Sequence, residues 1–322
     1  MHRLEELWAK AYSSSANLGP GFDILSVAHT SYYDIVSISI KKGSGNIETK
    51  KVVGPYSKYV NDKNSALIAI ENLINELKIN NYDISLKIWK GIPVSSGLGG
   101  SGASASAAVY GLTKLLDLEL SIGEMIRFAG YGETASAGVP HYDNVSASML
   151  GGFVVVGNIE NKIHVYKFNV NAKFLIFKPE VPFIENKTKK MRSLLPLNVS
   201  FEDHVKDLSN MALLISSLLN NDLKTAGKAM NDIIVTNSRA KAIPCFNDLK
   251  KNLIENGAYG VTISGAGPSI ISLIDQNKAG ELIEIGLKTY EKFGIKADAK
   301  ISEPAPGVSI LDTDYRSFPE LA

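Results

Sequence analysis

The most constraining feature of the sequence is a run of glycine and serine between a predicted strand and a predicted helix. The run reads Ser95-Ser96-Gly97-Leu98-Gly99-Gly100-Ser101-Gly102-Ala103-Ser104. Alternating apolar residues over 84–88 predict the strand before it, and an alanine-rich segment from about Ser101 to Leu118 predicts the helix after it. Glycines at such a turn let backbone amides approach an anion closely, and the helix N-terminus adds a partial positive charge. The sequence therefore predicts a phosphate-binding loop.

Three alternative roles for these glycines fit the sequence less well. A Walker A loop needs a lysine just before its helix, and residues 91–113 contain none, so that interpretation fails. The dinucleotide fingerprint G-x-G-x-x-G does match Gly97, Gly99 and Gly102, with Asp117 about 20 residues beyond the loop. That acid should end a second strand, whereas Asp117 precedes a helix cap. A merely flexible loop would not account for the strand, the helix and two further glycine motifs.

The composition indicates a globular chain without a strong electrostatic field. Of the 322 residues, 45% are hydrophobic and 21% are charged, and this length favours two domains. The net charge of +1 gives no reason to expect a nucleic acid or an anionic membrane as partner. The single Cys245 cannot form an intrachain disulfide, and the five histidines lack metal-ligand spacing. With no signal-peptide pattern and no apolar run of about 18 residues, we expect a cytoplasmic location and no membrane span.

Hydrophobic periodicity predicts the elements of the first half. Residues 32–49 resemble a hairpin that turns at 43–46. A helix is predicted over 65–78, with Asn64 or Ser65 as its cap. Ser121 and Glu124 form a capping-box pattern, which opens a helix reaching roughly to residue 137, and Val154-Val155-Val156 marks a strand.

The second half has the order of a ferredoxin-like domain: strand, helices, strand, strand, helix, strand. We place the boundary near residue 165, which gives domains 1–165 and 166–322. The predicted elements are a strand at 174–177, helices at 201–219, at 223–235 and after Pro244, strands at 260–264 and 270–275, a helix at 278–293 and a strand at 295–301.

The segment from Pro93 to Ala108 resembles the P-x-x-x-G-L-G-S-S-A-A loop of the GHMP small-molecule kinases. It departs from that loop at Gly100, which replaces the first serine, and at Gly102, which replaces the first alanine. Two further motifs of these kinases occur in order, over 14–23 and 260–269. The resemblance implies a two-domain α+β fold, with an N-terminal α/β domain that carries the phosphate loop and binds ATP and a C-terminal ferredoxin-like domain.

Within these kinases the chain is most similar to the homoserine kinase family. That similarity rests on residues 14–23, 141–145, 192–196 and 239–244, and a mismatch is Tyr12-Ser13, where the family has Pro-Ala. It implies phosphorylation of the L-homoserine hydroxyl by ATP to O-phospho-L-homoserine, a step toward threonine. Another GHMP kinase, for mevalonate or shikimate, stays open as an alternative, as does a GHMP-fold sensor without turnover. The sequence does not set the oligomeric state, and a homodimer is one option.

The resemblance also implies which residues hold ATP and a metal ion. Because the loop has no lysine, Mg²⁺ would supply much of the charge compensation, with the Ser101 hydroxyl and the Glu133 carboxylate as its ligands. Glu133 is otherwise an exposed helix residue, Asn64 otherwise a helix cap, and Lys90 otherwise a strand-end charge. The residues assigned to ATP are Asn64, Lys90, Pro93, Val94, Ser95, Ser96, Gly97, Leu98, Gly99, Gly100, Ser101, Gly102, Ala103, Gly265 and Gly267.

The acceptor would be a zwitterion, whose carboxylate calls for arginine and whose ammonium calls for carboxylate or carbonyl oxygens. By resemblance, Arg192 and Arg239 bind the carboxylate, and Asn17 and Asp23 meet the amino group. Simpler roles are a solvated basic face for Arg192 and support of the Gly-Pro-Gly turn for Asn17.

The same resemblance assigns the residues at the reacting hydroxyl. His141, otherwise a structural histidine, and Asn144 would contact the acceptor. Homoserine kinases are described as working without a dedicated base. By this resemblance, Asn144 would orient the hydroxyl. Asp143 is left as either a base or a supporting group.

Overall fold

The computed structural model describes residues 5–134, 138–184 and 187–311. Within these residues, seven strands form the first sheet: β1 Glu6–Asn17, β2 Gly21–Lys42, β3 Ile47–Val53, β4 Tyr82–Trp89, β5 Phe153–Ile159, β6 Lys162–Phe168 and β11 Ser309–Ile310. Strands β11, β1, β2, β4 and β3 are neighbours in that order, while β5 pairs with β2 and β6 with β5.

The hairpin predicted over 32–49 is wrong, because β4 lies between β2 and β3. Strand β4 pairs antiparallel with β2 and parallel with β3. The turn is tied to the start of β4, since Oδ1 of Asp83 accepts hydrogen bonds of 3.0 Å from the N–H groups of Ser44 and Asn46. Alternation identified the strands, but it contains no information on which strand comes between them.

Four helices of the described first half are α1 Ser65–Leu77, α2 Gly100–Leu116, α3 Ile122–Gly132 and α4 Asp143–Leu150. The first three follow the predictions, and the cap of α1 at Asn64 and the capping box of Ser121 and Glu124 are confirmed. Helix α3 ends at Gly132, and residues 135–137 of its predicted extension lie outside the described residues. Helix α4 was not predicted.

Helix α2 lies close against the first sheet because its residues are small. Thirteen of them are buried, from Gly102 to Leu116, including a run of alanine and serine. A Cβ atom at Gly111 would lie 2.4 Å from Cδ1 of Ile38 on β2, so this glycine permits the close approach. The close packing fixes the start of the helix, and therefore the glycine loop, relative to the sheet.

The second sheet has the strand order of a ferredoxin-like domain, as predicted. Its strands are β7 Lys173–Pro179, β8 Gly260–Ile263, β9 Ile270–Ile274 and β10 Ala297–Ser302. They are antiparallel neighbours in the order β10, β7, β9, β8. The helices described in this half are α5 Lys187–Arg192, α6 Phe201–Leu219, α7 Leu223–Ala229, α8 Val235–Ala240, α9 Phe246–Glu255 and α10 Ala279–Lys292.

The helix predicted over 223–235 is in fact two helices. Helix α7 ends at Ala229, and α8 begins at Val235. Between them the carboxylate of Asp232 accepts hydrogen bonds from the N–H groups of Ile234, Val235 and Thr236. An aspartate that binds several free N–H groups at a helix start competes with continuation of the preceding helix.

The two halves share a continuous core. Phe153 of the first sheet packs against Phe174 of the second, with ring centroids 6.0 Å apart. Residue 165 lies inside β6, and the chain passes from one sheet to the other between Phe168 and Lys173. The chain later returns to the first sheet, where the N–H of Ala305 donates to the Ala28 carbonyl at 2.9 Å. The domain boundary near 165 stays a prediction. In the described residues no helix is long and apolar enough to cross a membrane.

Candidate active site

One cavity of about 240 Å³ brings together residues from both halves of the molecule. Most of the predicted site residues line it. The exceptions are Gly102 and Ala103, which lie in the first turn of α2, and Gly267, which packs against Ile243. Residues more than 200 positions apart in the sequence, such as Asn17 and Arg239, therefore meet at one site.

The glycine loop is held from the second sheet by the third glycine motif. Gly97 has a φ of +84°, and a Cβ atom there would lie 2.3 Å from the Ser264 carbonyl oxygen. Oγ of Ser264 donates to the Gly97 carbonyl at 2.7 Å, and the N–H of Ser269 donates to the Ser96 carbonyl at 3.0 Å. Ser264 and Ser269, which flank Gly265-Ala266-Gly267, therefore support the loop, and the glycine at 97 is required by backbone contact.

A buried ion pair lies beneath the loop. The Lys90 ammonium donates to the Asp34 carboxylate, to the Gly100 carbonyl at 2.8 Å and to Oγ of Ser104 at 2.9 Å. These bonds use the three donors of a lysine. Asp34 also accepts from the N–H groups of Gly91 and Ile92 at 3.0 and 2.9 Å. Lys90 lines the cavity, but its ammonium is committed to holding the loop and the start of α2.

Asn144 is oriented by Ser14 beside the loop. Oγ of Ser14 donates to Oδ1 of Asn144 at 2.8 Å, while the N–H of Ser14 donates to the Leu98 carbonyl at 3.1 Å. A Cβ atom at Gly99 would lie 2.0 Å from Oγ of Ser14 and 2.9 Å from Oδ1 of Asn144. Gly99 therefore leaves space for this pair.

Two buried carboxyl groups face the same cavity. Burial and the neighbouring Asp143 raise the pKa of Glu133 to about 8, against the weaker opposing effect of Lys90. Burial and Asp23 raise the pKa of Asp143 to about 6. Oδ1 of Asp143 accepts the N–H of Asn144 at 2.7 Å, which fixes this carboxyl at the start of α4.

A cluster of opposite charges forms another wall. Nη2 of Arg192 donates to both carboxylate oxygens of Asp23, at 2.8 and 2.7 Å, and lies 2.6 Å from Nε2 of His141. Burial lowers the pKa of His141, so the imidazole is neutral at pH 7 and can accept this bond. Nε of Arg192 is buried and has no hydrogen-bond partner among the described residues.

Arg239 is almost fully buried in the same wall and is anchored by backbone carbonyls. Its Nε donates to Met191 at 3.3 Å and its Nη1 to Gly265 at 3.1 Å. Nδ2 of Asn17 donates to the same Gly265 carbonyl at 3.1 Å, and Oδ1 of Asn17 accepts the N–H of Asp23 at 3.2 Å. Asn17 thus lines the cavity while holding its turn together.

Comparison with known proteins gives the family. Residues 64–152 match the family "GHMP kinases N terminal domain", and residues 214–292 match "GHMP kinases C terminal". The homoserine kinase of Aeropyrum pernix is 39% identical over 309 residues, which cover 94% of this chain and 97% of that protein. The chain belongs to the homoserine kinase family of the GHMP kinases. The homoserine kinase of Saccharolobus solfataricus is 38% identical over 95% of this chain and 98% of its own length.

Solved structures agree with this assignment. A homoserine kinase from Cytophaga hutchinsonii superposes with a TM-score of 0.87 at 30% identity, covering 97% of this chain and 99% of that one. A mevalonate diphosphate decarboxylase from Staphylococcus aureus, at 14% identity and a TM-score of 0.69, shares the fold. The predicted two-domain GHMP kinase fold is therefore confirmed.

The residues at the cavity fit a magnesium ion in this kinase fold. A divalent cation next to buried Glu133 would favour the charged carboxylate that burial disfavours. Ser101, in the first turn of α2, lines the same cavity, and its carbonyl is held by Oγ of Ser65 at 2.9 Å. No group of three or more histidine, cysteine or acidic residues that could hold a metal exists in the described part of the chain. An ion here would take its other ligands from phosphate and water, as Mg²⁺ commonly does.

Several polar residues that support the site are not predicted from the sequence. His29 is fully buried, and burial lowers its pKa to about 3, so its imidazole is neutral. Its Nδ1 lies 3.1 Å from Oγ of Ser13, and its Nε2 lies 3.1 Å from Oγ of Ser15. Oγ of Ser15 is 2.7 Å from Oγ of Ser264, which holds Gly97. A hydrogen-bonded chain thus runs from the core to the glycine loop.

The other missed residues are Asp34, Ser14 and Lys187. The sequence does contain an indication of Asp34, because this charged residue interrupts the alternation of the predicted strand. It stands directly before Ile35, which is buried. Ser14 had one too, because it opens the first motif. Lys187 had none, since it begins a basic stretch typical of a solvated surface, yet it is buried.

Proposed function

We propose that the protein transfers the terminal phosphoryl group of ATP to the hydroxyl of L-homoserine, giving O-phospho-L-homoserine and ADP, a step toward threonine. The observation that carries the proposal is that one cavity joins the glycine loop to the Arg192–Asp23 pair, with Asn144 lining it beside Gly99. A phosphate donor and an amino acid acceptor can therefore lie in contact there.

The glycine loop would bind the phosphates of ATP. Its backbone turns at Ser95, Gly97 and Gly99, all with positive φ, before α2 begins at Gly100. Amide groups in such a turn and the N-terminus of a helix of 17 residues favour an anion. Asn64 lines the cavity but uses its amide to cap α1 and to donate to Oγ1 of Thr49, so we assign it to shaping the nucleotide site.

The paired charges of the opposite wall match a zwitterion. The guanidinium of Arg192 suits a carboxylate, and the carboxylate of Asp23 suits an ammonium. The substrate would enter beside a pair that is already neutral overall, so neither charge is left without a partner before it binds. Arg239 adds positive charge on the carboxylate side, and His141 holds the Arg192 guanidinium.

The transfer step forms a bond between the homoserine oxygen and the γ-phosphorus and breaks the bond between that phosphorus and the oxygen bridging to the β-phosphate. Little covalent chemistry falls to the protein, which must hold the two oxygens in line. We assign Asn144 to orienting the hydroxyl, with its amide fixed by Ser14. The proton of the hydroxyl passes to phosphate, and a base role for Asp143 stays the alternative.

We further infer that Glu133 and Ser101 hold Mg²⁺. When bound, the ion neutralises charge on the phosphates. Glu133 is suited to it because its buried carboxylate gains a counter-charge. We also infer a cytoplasmic location, because ATP is the donor, while a homodimer stays a prediction.

An acceptor panel tests the proposal. ADP release is measured with L-homoserine, mevalonate and shikimate, each at saturating ATP and Mg²⁺. We expect turnover with homoserine at least 100-fold above that with the other alcohols, because they lack the ammonium that Asp23 pairs with. Preference for mevalonate or shikimate would assign another kinase activity. Binding of homoserine and ATP without ADP release would make the protein a ligand sensor.

A further inference from the structure

Lys187 is a buried lysine at the edge of the glycine loop. It begins helix α5 and is 7% exposed. Nζ donates to the carbonyl of Ser95 at 2.6 Å, so a residue of the second half reaches the loop of the first. Both Lys187 and Ser95 line the cavity.

The ammonium of Lys187 has donors to spare. A lysine carries three N–H donors, and the bond to Ser95 is the one hydrogen bond found for Lys187 among the described residues. None of the ion pairs between described residues includes it. A buried ammonium without an acidic partner is costly, and the site gains stability when an anion enters.

The charges around Lys187 also call for an anion. Burial and the nearby Arg239 guanidinium of α8 lower the pKa of Lys187 to about 7. Within its own helix, Lys189 and Lys190 are exposed. The remaining titratable groups that line the cavity are the acids Asp23, Glu133 and Asp143, the basic groups Lys63, Lys90, His141 and Arg192, and Tyr59. Among the described residues, none of these acids forms an ion pair with Lys187.

The alternative cation at the loop is already committed. Lys90 uses all three donors on Asp34, Gly100 and Ser104. The loop itself contains no lysine. A kinase site still profits from a cation that contacts the phosphates where negative charge develops.

We propose that Lys187 is the phosphate-binding lysine of this site, and that its ammonium contacts the phosphate chain of ATP from the second half of the molecule. This inference rests on the proposed function. The proposal also accounts for the hydrogen bond between α5 and the loop, because Lys187 and Ser95 would both contact the bound ATP.

Proton uptake tests the proposal directly. An anion beside Lys187 raises its pKa, so a site that is mostly deprotonated at pH 8 should take up a proton when ATP binds. ATP is titrated into the protein without Mg²⁺ at pH 8, by calorimetry in buffers of different ionisation enthalpy. The wild type should take up more protons than Lys187→Met, by up to one for each ATP bound. The affinity of Lys187→Met for ATP should fall by about 10- to 100-fold, whereas that for adenosine should change by less than about threefold.

Lys187→Arg separates a phosphate contact from simple support of the loop. Arginine stays protonated, so this variant should lose the extra proton uptake and keep its ATP affinity within about fivefold of wild type. It also keeps the charge if Lys187→Met fails to fold. Lys189→Met, on the exposed side of α5, should match the wild type in both measurements.

An ATP affinity of Lys187→Met equal to that of the wild type would overturn the proposal. ADP release with homoserine, measured on the same preparations, separates this failure from that of the proposed function. Turnover by the wild type together with an ATP affinity that does not depend on Lys187 rejects the role of Lys187. Absence of turnover by the wild type rejects the function.

Discussion

Oγ of Ser14 donates a hydrogen bond of 2.8 Å to Oδ1 of Asn144, and this bond joins β1 to the first turn of α4 directly beside Gly99. It decides which end of the Asn144 amide faces the cavity. An amide that is free to rotate would present its oxygen and nitrogen in turn, and the acceptor hydroxyl would lose its orientation.

Ser14→Ala should therefore lower kcat by about 10-fold or more with little change in the KM for homoserine, because orientation matters most in the transition state. Steady-state kinetics with both substrates measure the split. Ser148→Ala is the matched control, since Oγ of buried Ser148 also joins α4 to β1, at the Tyr12 carbonyl, away from the cavity. Equal loss of kcat in the two variants would show that the helix contact matters rather than the amide.

Local patterns in the sequence identify the elements and the loop because their causes are local. The capping box at Ser121 and the glycines at 97 and 99 are examples. The neighbours of β3 were missed because they depend on β4, which comes about 30 residues later in the chain. The support of Gly97 by Ser264, and that of Ser264 by His29 through Ser15, joins three distant segments. No single stretch of sequence contains such a relationship.

The charges of the site show the same limit. Resemblance assigned Lys90 and Asn64 to the nucleotide, yet their polar atoms are used within the protein, on Asp34 and at the N-terminus of α1. No pattern in the sequence indicates that Lys187 is buried at the site. Burial and hydrogen bonding decide which cations are available to a ligand, and both depend on tertiary packing.

Glu133→Gln should lower kcat by roughly 100-fold or more, because it removes the carboxylate that would hold the metal. Activity is followed across a magnesium titration. The pKa of Glu133 is near 8, so below that pH Mg²⁺ must displace a proton from this carboxyl in order to bind. The Mg²⁺ concentration that gives half-maximal activity of the wild type should therefore fall as pH rises from 6.5 to 8. Glu119→Gln, at an exposed acid outside the cavity, is the control. Normal turnover of Glu133→Gln at all magnesium concentrations would refute the metal assignment.

Arg192→Leu should raise the KM for homoserine by about 10- to 150-fold, since a lost charge-assisted bond costs roughly 1.5–3 kcal/mol. The KM for ATP should change by less than about threefold. The KM for 3-aminopropan-1-ol, an acceptor without the carboxylate, should rise much less, because this acceptor does not make the deleted interaction. Arg239 also donates a hydrogen bond to the Gly265 carbonyl. Arg239→Leu should therefore weaken the binding of both substrates. If Arg192→Leu raises the KM for ATP instead, this arginine belongs to the nucleotide site.

His29 should make the folded protein sensitive to mild acid. Its folded pKa of about 3 lies below the ordinary value of 6.5, so the unfolded state binds the proton more readily and stability falls as pH drops below 6.5. From this group alone, the free energy of unfolding should decrease by about 1.4 kcal/mol between pH 7.5 and 5.5. His29→Gln, which keeps polar contacts to the serines but does not titrate, should lack this component. Urea unfolding at both pH values measures it, and parallel decreases in the two proteins would reject the assignment.

The stoichiometry of product formation tests the central claim most directly. Purified protein is incubated with ATP, Mg²⁺ and L-homoserine, and phosphorus NMR follows every phosphate species. We predict one O-phospho-L-homoserine for each ADP formed, with negligible inorganic phosphate, because the cavity holds the acceptor hydroxyl against the donor phosphate. Formation of ADP with inorganic phosphate alone, or no consumption of ATP in the presence of homoserine, would contradict the assignment of this cavity to homoserine phosphorylation.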